Sequence, residues 1–134
     1  MLRHLLLYLL LAGPAAAAAF SPVGVWYGEG EPGDPNTMWL VRLSPDGGFT
    51  AQFRFCRNRQ SFDQFETGTW SFKDGLEELL TRTVNGRPSQ DDNSYRLLSY
   101  DGRKQVYRYL RTGFVFTSVR VDGKFPMPQC GLMS

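Results

Sequence analysis

The sequence contains a single histidine, His4, and it lies in the N-terminal segment. That segment, residues 1–19, combines a cationic start, a leucine-rich run and a stretch of alanines, which is the pattern of a cleaved secretory signal peptide. Cleavage after Ala19 would leave a chain without histidine. Such a chain excludes a Ser-His-Asp triad, a Cys-His pair and an ordinary zinc site. We therefore expect no enzyme, no metal and no cofactor.

Long apolar runs are also lacking. The leucine-rich run is interrupted by Gly13-Pro14, and a membrane-spanning helix needs about 18 apolar residues or more, so a signal peptide is favoured over a membrane anchor. We predict residues 1–19 as the signal and residues 20–134 as one domain, periplasmic or secreted. The net charge of +2 gives no reason to expect nucleic acid or an anionic membrane surface as a partner.

The sequence has only two cysteines, Cys56 and Cys130. In an exported chain an even number of cysteines usually means a disulfide, and the alternative is two free buried thiols. A disulfide between them would close a long loop and stabilise the fold by about 4 kcal/mol in the chain-entropy model.

Beyond residue 22 the sequence alternates between apolar and polar residues and is interrupted by turn-forming sequences such as "SPDGG" and "YDGRK". This pattern predicts short strands that pair with their sequence neighbours. The segment Leu76–Arg82 would also suit two helical turns, but the β-branched residues that follow favour a strand. The predicted strands are Val23–Glu29, Thr37–Leu43, Phe49–Cys56, Thr67–Lys73, Leu76–Val84, Ser94–Tyr100, Lys104–Arg111 and Phe114–Asp122.

Several of these strands have one strongly apolar face. The faces consist of Trp39, Val41 and Leu43; of Phe49, Ala51, Phe53 and Phe55; and of Gly68, Trp70 and Phe72. No helix is predicted that would cover them, so the sheet must close on itself. The predicted fold is all-β, an eight-stranded antiparallel up-and-down barrel that follows a cleaved signal peptide.

The stretch "PVGVWYGEG" places Gly24 and Trp26 on the first strand. An early Gly-x-Trp, eight meandering strands and a cysteine in the C-terminal tail resemble the lipocalin-like (calycin) barrels. The resemblance implies that the indole closes one end of the barrel and that Arg120 packs over it. It also implies that Cys130 tethers the tail to a middle strand through Cys56. The chain departs from the family in its short length and in its proline-rich tail, which predicts no helix after the last strand.

The resemblance further implies a ligand site inside the open end of the barrel. The predicted ligand-binding residues are Trp39, Phe53, Phe55, Trp70 and Tyr107. The alternative, slightly favoured by the short chain, is that these aromatic side chains simply fill the interior. Polar groups for a ligand would come from Tyr95, Arg108 or Tyr109.

Three charged segments are predicted to be solvated surface and not sites. Ser89–Asn93 supplies too few ligands for calcium. The other two are the acidic residues Glu29, Glu31 and Asp34 and the arginines Arg54, Arg57 and Arg59.

The leading functional hypothesis is non-catalytic binding of a small apolar or amphipathic ligand. The alternative is a protein-interaction module of the cell envelope, an inhibitor or assembly factor on a filled barrel. A barrel enzyme that uses Tyr, Arg and carboxylates has no motif behind it. A cavity with buried polar groups would favour binding, whereas buried convergent carboxylates would favour an enzyme.

Overall fold

The computed structural model describes residues 20–131, so the predicted signal peptide lies outside the described residues. Within them the chain forms a closed barrel of eight antiparallel strands in sequence order, in which the last strand pairs with the first. The predicted fold class is therefore confirmed. The strands are β1 (Gly24–Glu31), β2 (Asp34–Leu43), β3 (Gly48–Arg57), β4 (Gln60–Lys73), β5 (Leu76–Val84), β6 (Arg87–Tyr100), β7 (Lys104–Tyr109) and β8 (Val115–Val121).

The ambiguous segment Leu76–Arg82 is a strand, as its β-branched continuation favoured. Residues 20–131 contain no helix long and apolar enough to cross a membrane.

The predicted strands leave loops at residues 30–36, 57–66 and 85–93. These three loops are wrong, because most of their residues continue the strands. The turns within these three regions are short and lie at the same end of the barrel. They are Pro32–Gly33, Asn58–Arg59 and Asn85–Gly86. Asn58, Arg59, Asn85 and Gly86 have positive φ angles, as two-residue hairpin turns of the primed type require. Polar composition suggested loops there, but the polar residues lie on hairpins that lengthen the barrel. The last two strands, by contrast, are shorter than predicted.

The opposite end of the barrel is closed by Trp26, which is fully buried. Its indole Nε1 donates a hydrogen bond of 2.8 Å to the carbonyl of Pro22. The Arg120 guanidinium lies 4.3 Å from the centre of the indole ring and donates to the carbonyls of Val23 and Ser21. This is the contact that the family resemblance implied, and it fixes the residues before β1 across the closed end.

Gly24 leaves the space that Arg120 occupies. A Cβ atom at Gly24 would lie 2.4 Å from the guanidinium Nη1 of Arg120. The ring of Phe20 packs against those of Phe72 and Tyr100, with centroid distances of 4.9 and 4.6 Å. Together with Trp26 they form an aromatic floor.

The C-terminal tail packs against the outside of the barrel. Cys56 and Cys130 form a disulfide with Cα atoms 5.4 Å apart, which confirms the predicted pair. Arg54, predicted to be a solvated side chain, instead forms an ion pair with Asp63 and donates to the carbonyl of Pro128 in the tail. The tail is thereby held on the outer surface of β3 and leaves the interior free.

Candidate functional site

The interior of the barrel holds a cavity of about 350 Å³ between the aromatic floor and the hairpin turns. Ala51 lies in its wall, and Trp26 contributes to its inner end. The aromatic side chains therefore leave part of the interior open. The barrel has room for a cavity because its long hairpins make it deeper than a barrel of the predicted, shorter strands would be.

Four of the five predicted ligand-binding residues line this cavity: Trp39, Phe53, Phe55 and Tyr107. Trp70 does not. It lies nearer the closed end of β4, where it packs against the core and its Nε1 donates a hydrogen bond of 2.8 Å to the carbonyl of Ser44. The cavity begins further along the same face, so Trp70 lies outside its lining.

Gly28 determines how Trp39 lies in the wall. A Cβ atom at Gly28 would be 2.1 Å from Cζ2 of Trp39, so the indole lies directly against the backbone of β1. The Trp39 ring contacts Tyr107 and Phe116, with centroid distances of 6.4 and 6.1 Å. Phe116, which sequence reasoning did not assign, completes this aromatic side.

Tyr95 and Tyr109 are in the wall, whereas Arg108 is not. The ring of Tyr95 lies 5.2 Å from that of Tyr107 and 5.1 Å from that of Tyr109. Burial raises the pKa of both Tyr95 and Tyr107 well above the usual range of tyrosine. Their hydroxyl groups therefore remain neutral and supply polarity without charge.

Carboxyl groups also converge on the cavity, which sequence reasoning did not foresee. The wall includes Glu31, Glu66, Glu77 and Asp91. The predictions that Glu31 is surface charge and that Ser89–Asn93 is a solvated loop are thus wrong. Both segments belong to hairpins, and the alternation of side chains along a strand turns part of each inward.

Glu77 is the most deeply buried of these groups, with 8% of the residue exposed. It follows the β4–β5 turn by two residues, which places it toward the closed end, and it is paired in register with Tyr95 on β6. Within residues 20–131 its carboxyl group accepts no hydrogen bond and forms no ion pair. Burial without a compensating partner raises the pKa of Glu77 from 4.5 to about 7.

The carboxyl groups nearer the mouth have different surroundings. Burial raises the pKa of Glu31 and of Glu66. Asp91 instead has a lowered pKa, because its carboxylate accepts hydrogen bonds from Asn93 and from the exposed Arg111. Asn93 in turn accepts a hydrogen bond from the hydroxyl of Tyr109.

Gln105 brings a buried acceptor without a hydrogen-bond partner to the cavity wall. Its Nε2 donates a hydrogen bond of 2.8 Å to Oγ of Ser118, but its buried Oε1 has no hydrogen-bond partner. Gln105 is 4% exposed and belongs to the cavity wall. Buried polar atoms are satisfied in most native structures, and among the described side chains Oε1 of Gln105 and Oγ1 of Thr37 are exceptions.

Among residues 20–131, the cavity wall includes carboxyl groups but no lysine or arginine. Over residues 20–131, no group of three or more His, Cys, Asp or Glu side chains is arranged to hold a metal ion. The cavity thus combines aromatic surface, acceptor atoms and negative charge.

Comparison with protein-family models gives no match for this chain, and comparison with curated proteins gives none either.

Proposed function

We propose that the chain is an exported, non-catalytic binding protein that holds a small apolar or amphipathic ligand inside its barrel. The observation that supports this proposal is the cavity of about 350 Å³ with an aromatic wall and a few polar atoms. Small-molecule sites are typically concave and mostly apolar, with a small number of polar groups that orient the ligand. The floor at Trp26 closes one end, so a ligand would enter between the hairpin turns.

Export is part of the proposal, and the disulfide supports it. Disulfides persist in oxidising compartments such as the periplasm or the extracellular space. The Cys56–Cys130 pair is therefore compatible with such a compartment.

Native mass spectrometry of the oxidised protein, purified from the compartment to which it is exported, tests the proposal. We expect a bound small molecule that leaves only when the barrel unfolds. An Ala51→Phe variant should lose it, since Ala51 lies in the cavity wall, whereas Thr50→Phe on the outer face is the matched control. A bare mass for the folded wild type at every stage would contradict the proposal.

The convergent carboxyl groups favour a second candidate, an enzyme. Paired carboxyl groups in different surroundings can serve as general acid and general base. Glu66 and Asp91 are close enough to interact electrostatically, and their pKa values are shifted in opposite directions. The extracted compound separates the two candidates. A binding protein returns it unchanged after prolonged incubation, whereas an enzyme converts it.

Exposed apolar side chains at the mouth favour the third candidate, a protein-interaction module. Phe62, Leu110 and Phe114 are 56%, 48% and 36% exposed. A protein partner that still binds Ala51→Phe, but not a variant with these three residues changed to serine, would support this candidate over the cavity.

A further inference from the structure

We propose that the ligand is a small organic cation: a protonated amine on an aromatic or other compact apolar body, with its ammonium group bound at Glu77. This inference rests on the proposed function, because it assumes that the cavity is a ligand site. It narrows the ligand from any small amphipathic molecule to one chemical class.

The first argument for a cationic ligand is the negative charge of the cavity wall. Three wall carboxyl groups, those of Glu31, Glu66 and Glu77, have no cationic side chain bound to them in the part of the chain that the structure describes. The fourth, Asp91, is paired with Arg111 at the mouth. Clefts lined by charge of one sign concentrate ligands of the opposite sign. Beyond the Asp91–Arg111 pair at the mouth, an anionic ligand would meet carboxyl groups without a cationic partner on its way to the floor.

The second argument is that the cavity wall contains acceptor atoms without hydrogen-bond donors. Glu77 is only 8% exposed, and its carboxyl group receives no hydrogen bond from residues 20–131. Oε1 of Gln105 is also buried and without a hydrogen-bond partner. A buried polar atom without a partner destabilises the folded state, and a charged atom does so more strongly. An ammonium group brings both positive charge and N–H donors. A ligand that carries only acceptors leaves these atoms unsatisfied.

The rings around these acceptors carry the third step. Tyr95 lies beside Glu77 in register, and Tyr107 and Phe116 stack with centroids 5.5 Å apart. Aromatic faces attract cations, and cages of such rings recognise ammonium groups. The same rings supply the apolar surface that the body of the ligand needs.

Size carries the last step. Pockets for drug-sized ligands measure about 300–1,000 Å³, and this cavity, at about 350 Å³, is at the small end of that range. A compact body such as a single ring with a short chain suits this volume better than a long acyl chain does.

Isothermal titration calorimetry with three ligands of one shape tests the inference. The probes are 2-phenylethylamine, 2-phenylethanol and 3-phenylpropionate, which carry a positive, a neutral and a negative end group on the same ring. At about pH 8 the amine is protonated and Glu77 is ionised. We expect the amine to bind at least about tenfold more tightly than the alcohol, and the carboxylate to bind most weakly.

Two variants test whether Glu77 is responsible for the preference for the amine. In Glu77→Gln the preference for the amine should fall to within about threefold of the alcohol, whereas Glu78→Gln should retain it. Glu78 is the next residue of β5 and points to the other face of the strand.

Equal or tighter binding of the alcohol or the carboxylate would overturn the cation assignment and leave the proposed ligand site standing. An amine preference that survives Glu77→Gln would overturn the role of Glu77. Failure of all three probes to bind would also overturn the inference. In that case the native mass spectrum of the wild-type protein still decides, separately, whether the cavity holds any ligand.

Discussion

Stability of the empty barrel should depend on pH through Glu77. Burial raises the pKa of this carboxyl group from 4.5 to about 7. Between these values the folded state retains a proton that the unfolded chain releases, so the free energy of unfolding falls as the pH rises. Below about pH 4 both states are protonated and the effect vanishes; above about pH 8 it is complete.

The magnitude follows from the size of the shift. One pKa unit corresponds to about 1.4 kcal/mol, so the ionised carboxylate costs the folded barrel about 3 kcal/mol at alkaline pH. Glutamine has nearly the same shape as the protonated acid and cannot ionise. We therefore expect Glu77→Gln to equal the wild type in stability near pH 4 and to exceed it by about 3 kcal/mol near pH 9.

Urea unfolding of the oxidised, ligand-free proteins across this pH range measures the difference directly. Other titrating groups are common to both proteins and cancel in the comparison, and Glu78→Gln serves as the control that should show no such trend. A difference that does not vary with pH, or a Glu77→Gln variant less stable than the wild type at pH 9, would refute the reasoning. Increased stability together with loss of amine binding is the combination expected of a residue that serves a ligand.

Three further variants test contacts that stabilise the barrel around the cavity. Gly28→Ala forces a Cβ atom to within 2.1 Å of Trp39, so thermal unfolding should show a loss of about 1–3 kcal/mol. Replacing Cys56 and Cys130 together by serine opens the loop between residues 74 positions apart and should cost about 4 kcal/mol in urea unfolding. Arg120→Lys loses the planar fork over the indole and its two carbonyl contacts, so thermal unfolding should show a cost of about 1–2 kcal/mol.

Two matched variants serve as controls for the Gly28 and Arg120 measurements. A Cβ atom at Gly123 would lie in ordinary contact, 3.6 Å from Nη1 of Arg42, so Gly123→Ala should be nearly neutral. Arg42→Lys loses one exposed hydrogen bond to a carbonyl and is the control for Arg120→Lys. If either control costs as much as its partner variant, the close contacts at Gly28 or Arg120 do not determine stability. A double cysteine variant as stable as the oxidised wild type would contradict the contribution assigned to the disulfide.

The barrel could be predicted because its determinants are local and periodic. Alternation placed Val41, Ala51 and Phe53 on inward faces, and each of them lines the cavity. The closed end was implied by the family resemblance that Gly24 and Trp26 carry. Neighbouring strands without crossovers left the up-and-down order as the simplest arrangement.

The acidic part of the site could not be predicted from the same pattern, because polar side chains were assigned outward. Along β4, counting back from Gly68 does place Glu66 on the inward face, so a signal was present. Along β6 a bulge between Leu97 and Ser99 reverses the alternation. Counting back from Tyr100 therefore assigns Asp91 and Tyr95 to the outer face. The structure shows that both side chains point inward.

A crystal structure of the oxidised protein with 2-phenylethylamine tests the central claim most directly. The account predicts the ring of the amine among the cavity aromatics and its nitrogen within hydrogen-bond distance, about 3 Å, of the Glu77 carboxylate. A cavity filled by protein side chains, or an amine bound only on the outer surface, would contradict it.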